Sequence, residues 1–327
     1  MMRAWRSTNP GLDGLELIQM ARPEFSADEA LVRIETASLN FSDLLMIDDR
    51  YQVRPARPFV PGQEISGTVI AAGARSGLDV GQRIASKVLW GGFAEYAVVR
   101  GDMAIGVPDE MTSAAASALP VVYTTAMVAL TESTMVGPGE TVLVLAAAGG
   151  VGLAAVEIAR HLGARVIAAA GGRDKCALTR QHGAHEAIDY RQDNWSEELK
   201  RLTDGHGADV IVDPVGGAAT KEAMRVIAWE GRLLIVGFTS GDIPQIPANR
   251  LLLKRAAAIG VYWNHDRDTV MLKRVSDRLA AVLRDGAIRP HIGATFGFDR
   301  LREALRALAA RQTTGKVTIS LKDEATR

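Results

Sequence analysis

Thr141-Val-Leu-Val-Leu-Ala-Ala-Ala-Gly-Gly-Val-Gly-Leu-Ala-Ala-Val-Glu-Ile-Ala-Arg160 runs from β-branched and aliphatic residues into a cluster of small ones. Thr141 to Leu145 read as a strand, and Val151, Ala154, Ala155, Ile158 and Leu162 then recur at helical spacing. Strand, glycine turn and helix in this order form the setting of a dinucleotide fingerprint. In the G-x-G-x-x-G frame the positions fall on Ala147, Gly149 and Gly152, so the strict pattern is broken where the tight turn wants glycine. Gly149 would let the backbone approach a pyrophosphate, and Gly152 would let the helix lie close on its strand. The free N–H groups of the helix start, at Gly150 and Val151, would then face the phosphate charge.

Downstream, apolar strand candidates at 165–170, 186–189, 209–213, 232–236 and 257–261 alternate with helices near 175–182, 195–203 and 218–229. Six strands in this alternation predict a doubly wound parallel sheet in the order 3-2-1-4-5-6. Upstream the pattern differs. Residues 30–37 alternate apolar and polar like a half-buried strand, and further strands are expected at 64–73, 82–88 and 91–99. Pro58, Pro61-Gly62, Gly77 and Gly81 separate them closely, which suits an irregular antiparallel barrel. Stretches 113–120 and 123–130 are helical and lead into the nucleotide unit. In the tail a helix at 269–285, a strand near Ala294, a helix at 301–311 and a strand at 314–320 are expected. Leu301, Ala304, Leu305 and Leu308 make one apolar face of the last helix. Because six strands complete the sheet, the tail is expected to return to the first domain.

The composition excludes several classes. Lys plus Arg and Asp plus Glu both number 38, so no net field draws the 327-residue chain to nucleic acid or a membrane surface. The single Cys176 rules out an internal disulfide and a four-cysteine zinc site. The six histidines show no metal spacing and read as surface or supporting residues. No uninterrupted apolar run approaches the roughly 20 residues of a membrane helix. A cytoplasmic protein of a reducing compartment is expected.

Cofactor choice is written at the end of the second strand. NAD-selective sites place Asp or Glu there for the ribose 2′-OH. Here the position is Ala170, followed by Gly171-Gly172-Arg173-Asp174-Lys175. Arg173 and Lys175 are placed to meet a 2′-phosphate, which predicts NADPH over NADH. Ligands lie beyond the carboxyl ends of parallel strands, so Gly237 and Phe238 are expected near the nicotinamide ribose, with Val261 in the same layer.

Several segments together resemble one family. They are Leu39-Asn-Phe-Ser-Asp-Leu-Leu-Met-Ile, Pro58-Phe-Val-Pro-Gly-Gln-Glu-Ile-Ser-Gly, Tyr123-Thr-Thr-Ala, Ala147-Ala-Gly-Gly-Val-Gly and Thr314-Gly-Lys-Val. In register over essentially the whole chain they are similar to the zinc-independent quinone oxidoreductases, the zeta-crystallin-like branch of the medium-chain dehydrogenases/reductases. The resemblance implies a GroES-like irregular β-barrel catalytic domain, residues 1–122 and 262–327, interrupted by a Rossmann domain at 123–261. It also implies NADPH, a cleft between the domains and a homodimer. It points to Lys175 and Tyr190 for the 2′-phosphate and to Lys316 for the pyrophosphate. Asn40, Tyr51 and Thr125 would line the cleft, with Asn40 donating to the acceptor carbonyl and Tyr51 stacking on a flat acceptor. Zinc-dependent relatives carry Cys where this chain has Asn40-Phe-Ser-Asp43 and His where it has Gln63, and amides are poor zinc ligands. No catalytic metal is expected. The expected activity is hydride transfer to a quinone, a small electrophile, with positioning as the protein's main contribution. Two alternatives stay open: reduction of an enone or enoyl-thioester C=C bond, and nucleotide binding without catalysis.

Overall fold

The structure, a computed structural model, describes residues 1–321. The described residues make two compact units, Met1–Val121 with those from Pro290 onward, and Val122–Arg289.

In the first unit β1 (Met2–Ser7) and β2 (Leu15–Met20) form an antiparallel hairpin. There follow β3 (Glu29–Leu39), α1 (Phe41–Ile47), β4 (Glu64–Ala72), β5 (Arg83–Lys87), β6 (Tyr96–Arg100), β7 (Ala104–Gly106) and α2 (Ser113–Ser117). β3 pairs antiparallel with both β4 and β6. Its alternation predicts one wet face, yet Leu31, Val32, Ile34, Thr36, Ala37, Ser38 and Leu39 are all buried. The second face is covered by α2, which lies on β3 and β4 and brings Ser117 Oγ to 2.8 Å from Ser38 Oγ.

The second unit opens with α3 (Thr124–Thr131), β8 (Thr141–Val144), α4 (Gly150–His161), β9 (Arg165–Ala170), α5 (Arg173–Gln181) and β10 (Glu186–Asp189). It continues through α6 (Trp195–Leu202), β11 (Ala208–Asp213), α7 (Gly217–Ala223), β12 (Ile227–Ile235), α8 (Ala248–Lys254) and β13 (Ala257–Gly260). Six parallel strands lie in the order β10-β9-β8-β11-β12-β13, the doubly wound 3-2-1-4-5-6 arrangement expected. Leu143, Ile167, Ile211 and Leu233 from four neighbouring strands share one core with Trp195 and Leu199 of α6. The helix expected over 218–229 is shorter: α7 stops at Ala223, and β12 begins at Ile227 after a single tight turn. The apolar residues Met224, Val226, Ile227 and Ala228 are all buried, which one helical face cannot achieve for such close neighbours.

The long helix α9 (Thr269–Arg284) also belongs to this unit, so the second boundary lies at 289/290 and not at 261/262. Leu272, Val275, Leu279 and Val282 form its buried stripe. The helix lies against α3, and Glu132 accepts from Arg274 at 2.8 Å and Arg278 at 3.2 Å. Only then does the tail rejoin the first unit through β14 (Ile292–Gly297), α10 (Leu301–Ala309) and β15 (Lys316–Ser320). β15 lies antiparallel beside β3 and parallel to β14. Leu301, Ala304 and Leu305 of α10 enter the same core as Val32, Ile65 and Ile319.

One uncharged stretch comes near membrane length without being an uninterrupted apolar run, since Ser117, Pro120, Thr124 and Thr125 fall within it. Ser113–Thr131 is helical over 19 residues and apolar enough to cross a bilayer, but 72% of it is buried in the protein, as a core helix should be.

Glu157, in the middle of α4, is buried and fully engaged. Its Oε2 accepts from Tyr123 OH at 2.7 Å and from the Arg289 backbone N–H at 3.1 Å, while Oε1 lies 2.6 Å from His182 Nδ1. Burial, and then the carboxylate charge, push the Tyr123 hydroxyl well above its ordinary pKa.

Candidate active site

The glycine turn is built by the sheet on either side of it. Leu145 N–H donates to Val212 O and Ala147 N–H to Ala169 O, both at 3.0 Å, which carries the chain past the end of β8. The left-handed residue is Ala146, with φ 46°, so Ala147 occupies ordinary backbone and the missing first glycine breaks nothing. A side-chain carbon on Gly152 would lie 2.4 Å from Ala146 O and 2.6 Å from Ala147 Cα, which is why this helix can lie so close on its strand. On Gly149 the same carbon meets only Ala146 O, at 3.3 Å. The N-cap of α4, Gly149, offers no side-chain acceptor. The N–H groups of Gly150, Val151 and Gly152 therefore have no acceptor within the helix and suit an anion.

Beyond β9, Gly171 and Gly172 (φ 97°) lead into α5. Carbons added there would lie 3.2 Å from Tyr190 OH and 3.0 Å from Arg191 Nη1, so both side chains cover this turn. Gly172 N–H donates to Asp189 Oδ1 at 2.9 Å, and Arg191 N–H does so at 3.0 Å, which turns that carboxylate toward backbone. Arg173 is exposed at the helix start and Lys175 is half-buried. Burial, and then the neighbouring Arg191 charge, lower the Lys175 pKa. Arg191 is the residue that sequence reasoning missed. Its signal was the basic residue directly after Tyr190 at a strand end.

At β11, buried Asp213 accepts from Val215 N–H at 2.8 Å and Gly216 N–H at 3.0 Å, and Thr220 Oγ1 donates to its other oxygen. The loop after β12 folds onto this turn: a carbon on Gly216 would lie 3.1 Å from Phe238 Cδ1. Gly237 N–H donates to Asp213 O at 3.3 Å and Val261 N–H to Ile235 O at 2.9 Å. Gly149 to Gly152, Gly171 to Lys175, Tyr190, Gly237, Phe238 and Val261 thus all stand at the carboxyl ends of parallel strands, the edge where such sheets bind ligands. Thr125, on α3, accepts from Trp263 Nε1 at 3.1 Å.

In the first unit Asn40 follows β3 and caps α1, with its N–H on Asp43 Oδ2 at 2.7 Å. Its Oδ1 accepts from Lys316 Nζ at 2.7 Å, and its Nδ2 donates to Glu64 Oε2 at 3.1 Å. Lys316 corrects the expectation of a pyrophosphate contact. It is 4% exposed, and its ammonium donates to Leu39 O at 2.8 Å and to Asn40 Oδ1 and Glu64 Oε2 at 2.7 Å each. An ammonium has three protons, and three acceptors use them. Tyr51 stands in the loop after α1, half-buried. Gln63 is buried beside this cluster and hydrogen-bonds Ser42 Oγ. Burial raises the Asp43 pKa to about 7 against the opposing pull of the Asn40 N–H and Lys316. Among the described residues no three His, Cys, Asp or Glu side chains gather as a metal-binding group.

Comparison with known proteins agrees with this architecture. Residues 26–109 match the alcohol dehydrogenase GroES-like domain family, and residues 150–280 match the family described as zinc-binding dehydrogenase. A quinone oxidoreductase-like protein 2 homolog of Nematostella vectensis is 40% identical over 89% of this chain and 81% of its own length. The quinone oxidoreductase-like protein 2 of Rattus norvegicus is 37% identical over 94% of this chain and 89% of its own. Among solved structures, the quinone oxidoreductase of Thermus thermophilus, described also in complex with NADPH, superposes with a TM-score of 0.85 at 34% identity, covering 98% of this chain and 100% of that one.

Proposed function

This chain belongs to the quinone oxidoreductase branch of the medium-chain dehydrogenase/reductase superfamily, and on that footing we propose that it is an NADPH-dependent, zinc-independent quinone reductase. The observation that carries the reading is the carboxyl edge of the six-stranded sheet. There an uncapped α4, the Gly171–Gly172 turn and the Lys175–Arg191 cation pair belong to one unit. The residues fit the cofactor: the N–H groups of Gly150 to Gly152 would hold the pyrophosphate, and Lys175, Arg191, Arg173 and Tyr190 the 2′-phosphate. Gly237, Phe238 and Val261 would border the nicotinamide half. Bound there, NADPH supplies the hydride that the acceptor receives. On this reading Asn40 would offer an N–H donor to the acceptor carbonyl, and Tyr51 and Thr125 would contact the acceptor. A reduced quinone takes its proton from water, so this set needs no strong general acid.

Donor chemistry supports the absence of a catalytic zinc. Asn40 and Gln63 offer amides in place of thiolate and imidazole. The adjacent Glu64 carboxylate already holds the Lys316 ammonium at 2.7 Å, a charge that repels a second cation.

We further infer a homodimer built on the β13 edge. Among the described residues that strand pairs only with β12, and Leu252 and Leu253 of α8 are 78% and 71% exposed, as is Tyr262 at 70%. Exposed apolar side chains beside an open strand edge suit a two-fold partner.

The test is NADPH oxidation followed at about 340 nm with 9,10-phenanthrenequinone, beside NADH and with and without a zinc chelator. Fast, NADPH-selective and chelator-resistant turnover is the expected result. NADPH binding with no turnover on the quinone overturns the assignment of acceptor and moves the activity to C=C reduction or to none.

A further inference from the structure

Three adjacent strands of the first unit bring their ends together at Lys316. β15 starts at Lys316, β3 ends one residue before Asn40, and β4 starts at Glu64. The register places Val317 opposite Leu39 and Ala37 opposite Ile65, which aligns these ends across the sheet. Glu64 is fully buried; its Oε1 accepts from Val121 N–H at 2.7 Å, and its Oε2 accepts from both Lys316 and Asn40.

The consequence for Asn40 is geometric. An ammonium can only donate and a carboxylate can only accept, so the carboxamide oxygen must face Lys316 and the amide nitrogen must face Glu64. A flipped amide would set NH2 against NH3⁺ and oxygen against carboxylate. One amide proton is thereby held on Glu64, and the direction of the other is fixed. A buried ion pair is a costly way to gain stability, since apolar residues of the same volume often do as well. Orienting a neighbouring amide is something apolar residues cannot do.

We propose that Lys316 and Glu64 are positioning residues that lock the Asn40 carboxamide for its hydrogen bond to the acceptor carbonyl. The proposal rests on the role of Asn40 given above. Its test separates the two. Steady-state kinetics with 9,10-phenanthrenequinone are measured for Asn40→Ala, Lys316→Met, Glu64→Gln and Asn40→Ala/Lys316→Met, beside NADPH affinity by fluorescence titration. Each single substitution is expected to lower kcat/KM for the quinone about tenfold, the scale of one hydrogen bond. The loss falls in kcat with NADPH affinity unchanged, and Lys316→Met adds nothing once Asn40 is Ala. Losses that multiply in the double variant, or full activity of Lys316→Met, overturn the positioning role and leave Asn40's own role standing. Full activity of Asn40→Ala overturns the role of Asn40 and the proposal with it. Should Lys316→Met fail to fold, Glu64→Gln/Lys316→Met removes both charges together and is judged by the same comparison with and without Asn40→Ala.

Discussion

Arg191 lays its guanidinium against Gly172, so that a side-chain carbon on that glycine would sit 3.0 Å from Nη1. The same guanidinium, after burial, lowers the pKa of Lys175. Two cations therefore stand together at a strand end where the Asp189 carboxylate is turned to backbone. A dianionic 2′-phosphate relieves that repulsion and the ribose hydroxyl of NADH does not. Arg191→Ala and Lys175→Ala should each raise KM for NADPH roughly tenfold or more and leave NADH nearly unchanged. Parallel titrations with both cofactors check this, and equal weakening for NADH would remove the residue from the phosphate site.

The two later glycines of the turn should behave differently when replaced by alanine. Gly152→Ala drives a methyl to 2.4 Å from Ala146 O, a backbone atom that has nowhere to go, and should cost about 1–3 kcal/mol in thermal or urea unfolding. Gly149→Ala meets only one atom, at 3.3 Å, and should fold nearly as well as wild type. Its loss should appear in NADPH affinity instead, because the methyl would enter the path proposed for the pyrophosphate. A Gly149→Ala protein with normal affinity would remove that residue from the phosphate cradle.

Asp43 gives the protein a pH signature. Its carboxyl titrates near 3.8 in an unfolded chain and at about 7 in the fold, chiefly through burial. Between those values the folded state binds more protons than the unfolded one, so this group's contribution to stability falls as pH rises from 3.8 to about 7 and then levels off. Asp43→Asn should abolish that fall. Unfolding free energies from urea titrations at pH about 4 and about 8 should shift in favour of the variant by a few kcal/mol on the alkaline side. An equal offset at both pH values would deny the shifted titration.

The exposed edge offers a fourth test. Leu252→Asp/Leu253→Asp places charges on side chains that are already in water in the single chain, so the fold should be preserved. If that surface is the homodimer interface, sedimentation should change from dimer to monomer at micromolar concentration. A dimer that survives both substitutions places the two-fold axis elsewhere.

Much of this molecule was legible because its signals are local. The six strands and their order follow from the alternation of apolar runs with helical spacing, and Gly152's role from its place in the motif. Less legible were features decided by what lies across space. β3 read as half-wet because nothing near it in sequence reveals α2 on its other face. The helix expected through Trp229 ends early because buried Met224 to Ala228 serve the sheet core. α9 stays with the nucleotide unit through its buried stripe Leu272, Val275, Leu279 and Val282, while Arg274 and Arg278 meet Glu132, 142 and 146 positions away. Lys316 looked like a phosphate ligand because Gly-Lys before a strand carries no trace of Glu64 and Asn40, 252 and 276 residues away, that take its protons.

Glu157 closes a loop that the chain itself leaves open. One oxygen of its carboxylate binds Tyr123, near the start of the segment Val122–Arg289, and Arg289, its last residue. A segment whose two ends meet on a single atom is already shaped like an insert. A loop that joined two ends held so close would cost little chain entropy.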